Sequence, residues 1–103
     1  MTFQEAETLA FAGKRLTNRN LKKKGQFIFA RPSDVLDLDF VHRIKSLPES
    51  VKNFLADERK VSHSKIIFTE YLCMWDGDGT IYNGWEPTES DKVSITWEVL
   101  KDE

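Results

Sequence analysis

The chain has 103 residues, a formal net charge of −2 and a single cysteine. That size predicts one domain over residues 1–103, the lone Cys73 excludes an internal disulfide, and the acidic balance argues against general nucleic-acid binding. Hydrophobic residues make up 40% and charged residues 31% of the chain, ordinary proportions for a globular protein, and no stretch approaches the ~18 apolar residues of a membrane span.

The start, Met1 to Glu5, has neither the basic nor the apolar region of a secretory signal. With one free thiol, the expected compartment is the cytoplasm. Seven Phe, three Trp and two Tyr exceed what one small core needs, so an oligomer interface or a ligand pocket is the natural outlet for some of them.

Thr2 and Glu5 form a T-x-x-E capping box that opens a helix. Phe3, Ala6, Leu9 and Ala10 share one face of it, and Gly13 is placed to end it in a left-handed conformation. Lys14, Arg15, Arg19, Lys22, Lys23 and Lys24 follow without an intervening acid. Gln26 to Ala30 is a short aromatic-rich run that predicts a strand. Lys14 to Arg31 is therefore expected to be a hairpin with lysines at its tip, closed by Pro32, which cannot donate to a ladder. The basic run reads either as a solvated tip or as a local positive field that attracts a phosphate-bearing ligand.

Ser33 to Arg59 is expected to be helical in two pieces. The second opens at a Ser46-Leu47-Pro48-Glu49 capping box, with Leu47, Val51, Phe54 and Leu55 on one face. Asp57 to Ser64 reads as a loop. Lys65 to Trp75 is the longest strand candidate, apolar on both faces. Asp76-Gly77-Asp78-Gly79 is a turn signal, and Thr80-Ile81-Tyr82 returns as the partner strand. After a polar loop from Glu86 to Ser90, the alternation of Val93, Ile95, Trp97 and Val99 predicts a closing strand. The fold class is α+β: a small antiparallel sheet with an N-terminal helix and a helical insertion.

No catalytic signature is present. No Ser, Cys or Thr sits in a nucleophile setting, and there is no dinucleotide or P-loop motif. His42 and His63 lie in polar segments and read as surface residues. The Asp76 to Gly79 turn fails as a calcium loop, because its twelfth position is Pro87 rather than a bidentate Glu. No Cys/His spacing suits zinc, and Cys73 reads as a buried, inert thiol. The segment Asn83 to Asp91 gathers an amide, an indole, two hydroxyls and a carboxylate. Asn83 could read a base edge, Trp85 could stack a base, and Thr88 and Ser90 could bond ribose or phosphate. The same segment equally suits a loop whose Trp packs on the core and whose Thr88 or Ser90 caps a helical turn.

Several segments in their order and spacing resemble a known family. They are Met1-Thr2-Phe3 with the helix to Gly13, Gly25-Gln26-Phe27-Ile28-Phe29, Arg31-Pro32-Ser33-Asp34, Lys45-Ser46-Leu47-Pro48-Glu49-Ser50 and Phe68 to Met74. Asp78-Gly79-Thr80-Ile81, Asn83-Gly84-Trp85, Asp91 and Trp97 complete the set. Together they resemble the second Thoeris anti-defence family of phages. The resemblance implies a homotetrameric sponge that holds cyclic ADP-ribose-type signals, including glycocyclic ADP-ribose, between subunits without cleaving them. Some relatives are similar in also holding cyclic oligonucleotides.

On that resemblance the protein is not an enzyme, needs no cofactor or metal, binds neither membrane nor nucleic acid, and acts in the cytoplasm of an infected bacterial host. Leu21, Lys24, Arg31, Asn83, Trp85, Thr88, Ser90 and Asp91 form the expected ligand-binding set, with Arg31 on a phosphate, while Trp97 is assigned to the core. The chain departs from the family pattern where Leu21 stands for a Trp, Lys22 and Lys23 for Asn-Gly, and Thr96 for an acid. These departures leave open a different ligand, binding that leans on lysine charge, or reduced activity. The alternative to a sponge is a protein–protein interaction module with a vestigial nucleotide pocket.

Overall fold

The computed structural model describes residues 1–57 and 65–102. The end of the expected helical insertion, most of the loop before Lys65, and His63 lie outside the described residues. The chain divides into two compact units, Met1–Pro32 with Glu70–Glu103, and Ser33–Thr69.

The first unit is built on a five-stranded antiparallel sheet. Its strands are β1 (Leu16–Thr17), β2 (Phe27–Arg31), β5 (Tyr71–Trp75), β6 (Ile81–Asn83) and β7 (Glu98–Val99), in the order β6-β5-β2-β1-β7. The helix α1 (Phe3–Phe11) covers one face. The Thr2–Glu5 capping box forms as the sequence predicts: the Glu5 N–H donates to Thr2 Oγ1 at 3.3 Å and the Thr2 N–H to Glu5 Oε1 at 3.2 Å. At the other end the Lys14 N–H reaches Leu9 O at 3.1 Å and the Gly13 N–H reaches Ala10 O at 3.0 Å. That is a Schellman closure with glycine at the left-handed position.

Ala6 and Ala10 are fully buried and let the helix approach the sheet closely. They pack with Leu16, Leu21, Ile28, Leu72 and Trp97, and Phe3, Leu9, Ala30, Met74, Trp85 and Val99 complete this core.

The Lys14 to Arg31 segment is an antiparallel pair, with Leu16 opposite Ile28, but its tip is not a simple turn. Asn18 caps a short helix, α2 (Arg19–Lys23), by accepting from the Leu21 N–H at 2.9 Å. Leu21 turns inward to the core while Arg19, Lys22, Lys23 and Lys24 remain exposed.

Between β5 and β6 the turn forms as expected. Asp76 Oδ1 accepts from the backbone N–H groups of Asp78 at 2.7 Å and Thr80 at 3.0 Å. These two bonds hold the Asp76 carboxyl below its ordinary pKa.

The second unit pairs β3 (Asp34–Asp37) with β4 (Lys65–Phe68) antiparallel and carries α3 (Leu38–Val41) and α4 (Glu49–Leu55). Three expectations are corrected here. The insertion begins with a strand rather than a helix, because Val35 and Leu36 find a partner in Ile66 and Ile67 that lies about thirty residues on. Lys65 to Trp75 is two strands in two sheets, since Pro32 and Ser33 separate the two strands, β2 and β3, with which it pairs. The Ser46 capping box does not form: Pro48 is the N-cap, without a side-chain bond, and Glu49 opens the helix.

Toward the C-terminus, the polar loop after Glu86 gives way to the short helix α5 (Glu89–Val93), which takes Val93 out of the expected closing strand. Only Glu98–Val99 pair in the sheet, while Val93 and Ile95 are each 76% exposed. The alternation of Val93, Ile95, Trp97 and Val99 buries one indole fully rather than a whole strand face.

Two outcomes check this account. A Cβ on Gly77, at φ of 88°, would sit 2.5 Å from Lys24 O, whereas one on Gly79 would meet nothing within 4 Å. Gly77→Ala should lose more than ~1 kcal/mol in urea unfolding, and clearly more than Gly79→Ala, because it adds a backbone clash to the left-handed penalty. The Asp76 carboxyl is depressed in the folded state, so its stabilisation is present above the ordinary carboxylate pKa and is lost as pH falls through the lowered value. Acid titration of Tm should show this loss, and Asp76→Asn should flatten it.

Candidate functional site

Trp85, Thr88, Ser90 and Asp91 belong to the α1 side of the sheet. Gly84, at φ of 71°, redirects the chain after β6, and the Trp85 N–H donates to Leu72 O at 2.9 Å. Trp85 is half-buried and packs against Phe3 and Trp97, with ring centroids 6.4 and 6.5 Å away. Thr88 caps α5: its Oγ1 accepts from the Asp91 N–H at 3.1 Å and donates to Asp91 Oδ2 at 2.9 Å. Ser90 is exposed on that helix.

Asp91 is 6% exposed and fully engaged. Its Oδ1 accepts from Asn18 Nδ2 at 3.0 Å, Oδ2 accepts from the Thr88 N–H at 3.0 Å, and its carbonyl oxygen accepts from Trp97 Nε1 at 2.9 Å. The Asn18 side chain therefore joins the cap of α2 to the cap of α5. Asn18 was not among the expected site residues. Its position before Arg19 has the composition of an N-cap, but nothing local points to a partner 73 residues away.

Arg19, which follows Asn18, and Trp97, which is bonded to Asp91, line a groove of about 590 Å³ together with Lys22, Lys23, Ile95, Thr96 and Glu98. The Arg19 N–H donates to Thr96 Oγ1 at 3.0 Å, and Thr96 Oγ1 lies 2.8 Å from Ser94 Oγ. Lys22 is held by Glu98 at 2.7 Å, whereas Arg19 and Lys23 make no ion pair among the described residues. The groove thus has two uncommitted cations, a hydroxyl, and an apolar wall in Ile95. Trp97 contributes little ring surface, being 2% exposed. Leu21 and Lys24 flank the groove residues on α2, Leu21 in the core and Lys24 exposed at the helix end.

A match to the Thoeris anti-defense 2-like (Tad2-like) domain model runs over residues 1–100. The chain belongs to that family. Membership places it in Thoeris anti-defence. Among curated proteins no relative matches the chain.

The remaining two expected residues lie elsewhere. Arg31 and Asn83 stand on the sheet face turned away from α1, so the loop from Asn83 to Asp91 is split between the two faces. Arg31 lies 5.8 Å over the Tyr71 ring and is exposed. Asn83 is also exposed, and its Oδ1 accepts from Cys73 Sγ at 3.4 Å. Cys73 is fully buried, as expected, and burial pushes its thiol pKa up against the smaller lowering effects of the Gly84 backbone and Arg31. Among the described residues no group of His, Cys, Asp or Glu could hold a metal, and no helix is long and apolar enough to cross a membrane.

The clamp and the Trp packing differ in kind, which three variants should resolve. Trp97→Ala should cost ~3–5 kcal/mol of stability as a buried aromatic, and half-buried Trp85→Ala clearly less. Asn18→Ala should cost ~1–3 kcal/mol, by uncapping α2 and leaving Asp91 short of a donor. Chemical denaturation of the three variants against the parent measures each.

Proposed function

We propose that this protein binds and sequesters cyclic nucleotide immune signals of the glycocyclic ADP-ribose type, or cyclic oligonucleotides, without cleaving them. The observation that carries this reading is the family match over residues 1–100. On this reading it works in the cytoplasm of an infected bacterium, as a homo-oligomer, in which a tetramer shares its pockets between subunits. A domain this small has too little concavity to enclose a dinucleotide alone, and a symmetric interface supplies the second wall. Capture without turnover needs binding groups but no nucleophile and no general base.

The α2 groove is the part of the molecule best suited to the phosphates. Arg19 and Lys23 offer charge-assisted bonds, and Thr96 a hydroxyl. Leu21 is 8% exposed and has no ring to stack on a base, so the lysines carry a larger share of the binding. Trp85, Thr88, Ser90 and Asp91 then support the groove from behind through the Asn18 clamp, and Lys24 adds to its positive field.

Titration calorimetry with glycocyclic ADP-ribose, together with native mass spectrometry of the complex, tests the proposal. Stoichiometric binding and recovery of intact ligand after heat denaturation are expected. Arg19→Ala and Lys23→Ala should each weaken binding about tenfold through a lost charge-assisted bond, with a steep loss of affinity on adding salt. A folded oligomer that binds none of the cyclic nucleotides would sink the reading.

A further inference from the structure

Among the described residues that line the α2 groove there is one acid, Glu98, and strand register explains why it stands there. Thr17 of β1 lies opposite Glu98 of β7, and Asn18, next in the chain, caps α2. The first turn of α2 therefore runs beside the segment from Thr96 to Glu98. Two contacts join them, about one helical turn apart on α2. The Arg19 N–H donates to Thr96 Oγ1 at 3.0 Å, and Lys22 Nζ donates to Glu98 Oε1 at 2.7 Å.

The ion pair is open to water, with 62% of the Lys22 side chain and 47% of the Glu98 side chain exposed. Such a pair adds little to stability. Its main effect is on the charge of the groove. Arg19, Lys22 and Lys23 are its cations, and Glu98 cancels the one on Lys22. Arg19 and Lys23 are left without an ion pair among the described residues.

We infer that Glu98 is a specificity-determining residue of this groove, one that admits a pyrophosphate diester and rejects linear polyphosphates. The inference rests on the reading of the groove as the phosphate site. A pyrophosphate diester is closed at both ends and carries two negative charges, which Arg19 and Lys23 satisfy. A linear polyphosphate brings further charge at its terminal phosphate. That charge meets the Glu98 carboxylate instead of a free ammonium, at a range too short for physiological salt to screen it fully. An unfavourable charge opposite the wrong ligand gives specificity as effectively as an added contact to the right one. A protein that captures a scarce signal needs such a device, because nucleoside triphosphates share the pyrophosphate linkage and would otherwise compete.

The test titrates the full chain with inorganic tripolyphosphate and, separately, with glycocyclic ADP-ribose. The parent is compared with Glu98→Gln and with the double variant Lys22→Ala/Glu98→Gln. Glu98→Gln should bind tripolyphosphate about fivefold more tightly than the parent, through the released Lys22, and should gain clearly less for glycocyclic ADP-ribose. Tripolyphosphate should also displace glycocyclic ADP-ribose more readily from Glu98→Gln than from the parent. The double variant should return to the parent's affinity for tripolyphosphate, because it again presents two cations. A contact that only held the groove walls together would weaken binding in both variants.

Equal tripolyphosphate affinity of the parent and Glu98→Gln at unchanged Tm overturns the proposal, as does a double variant that keeps the gain. So does tripolyphosphate binding to Glu98→Gln that is indifferent to both Arg19→Ala and Lys23→Ala, which would place the anion outside the groove. Failure to bind glycocyclic ADP-ribose or any cyclic nucleotide sinks the sponge reading instead, and the tripolyphosphate series decides the role of Glu98 in either case.

Discussion

Asn18 and Asp91 meet across the first unit at 3.0 Å with both side chains almost fully buried. Buried polar groups are tolerable only when satisfied, and a shortfall costs a large part of the stability of a small domain. Here every acceptor has a task. Asn18 Oδ1 caps α2, Asp91 Oδ2 caps α5 through Thr88, and the Asp91 carbonyl receives the Trp97 indole. Among the described residues no buried side-chain nitrogen or oxygen lacks a partner. One hydrogen bond therefore fixes two short helices that could not persist alone, and it seats the largest aromatic of the core.

The same clamp decides where charge is displayed. With Leu21 drawn into the core, α2 has to present its cations on the outside. Lys22 is neutralised by Glu98 on β7, and its neighbours Arg19 and Lys23 are left to attract an anion. The acidic overall balance of the chain and this local positive field are compatible because the field is short-ranged, falling off over about a Debye length of 8 Å at physiological salt.

The sheet separates two chemically different surfaces. The α1 side is an aliphatic and indole core backed by small alanines. The other side carries rings, arginines and a lone amide, arranged by the period-two alternation of β2 and β5. A chain with twelve aromatics thus spends Phe3, Trp85 and Trp97 on the α1-side core and Phe27, Phe29, Tyr71 and Trp75 on the opposite surface. Membership of the Thoeris anti-defense 2-like family gives the proposed binding role its context.

Features whose cause is local were legible in the sequence itself. The Thr2–Glu5 box, the Gly13 closure, the Asp76 turn and the aromatic strand β2 each depend on residues a few positions apart, and each formed as expected. So did the α+β class, the buried Cys73 and the assignment of Trp97 to the core. Tertiary structure decided the rest, because the deciding partner was distant. Val35 became strand on meeting Ile67, Asn18 found Asp91, and Gly84 sent Asn83 and Trp85 to opposite faces of the sheet. A loop that reads as one cluster in sequence is divided between two faces in space, since alternation and a single left-handed residue, not proximity in the chain, determine which side of a sheet a side chain occupies.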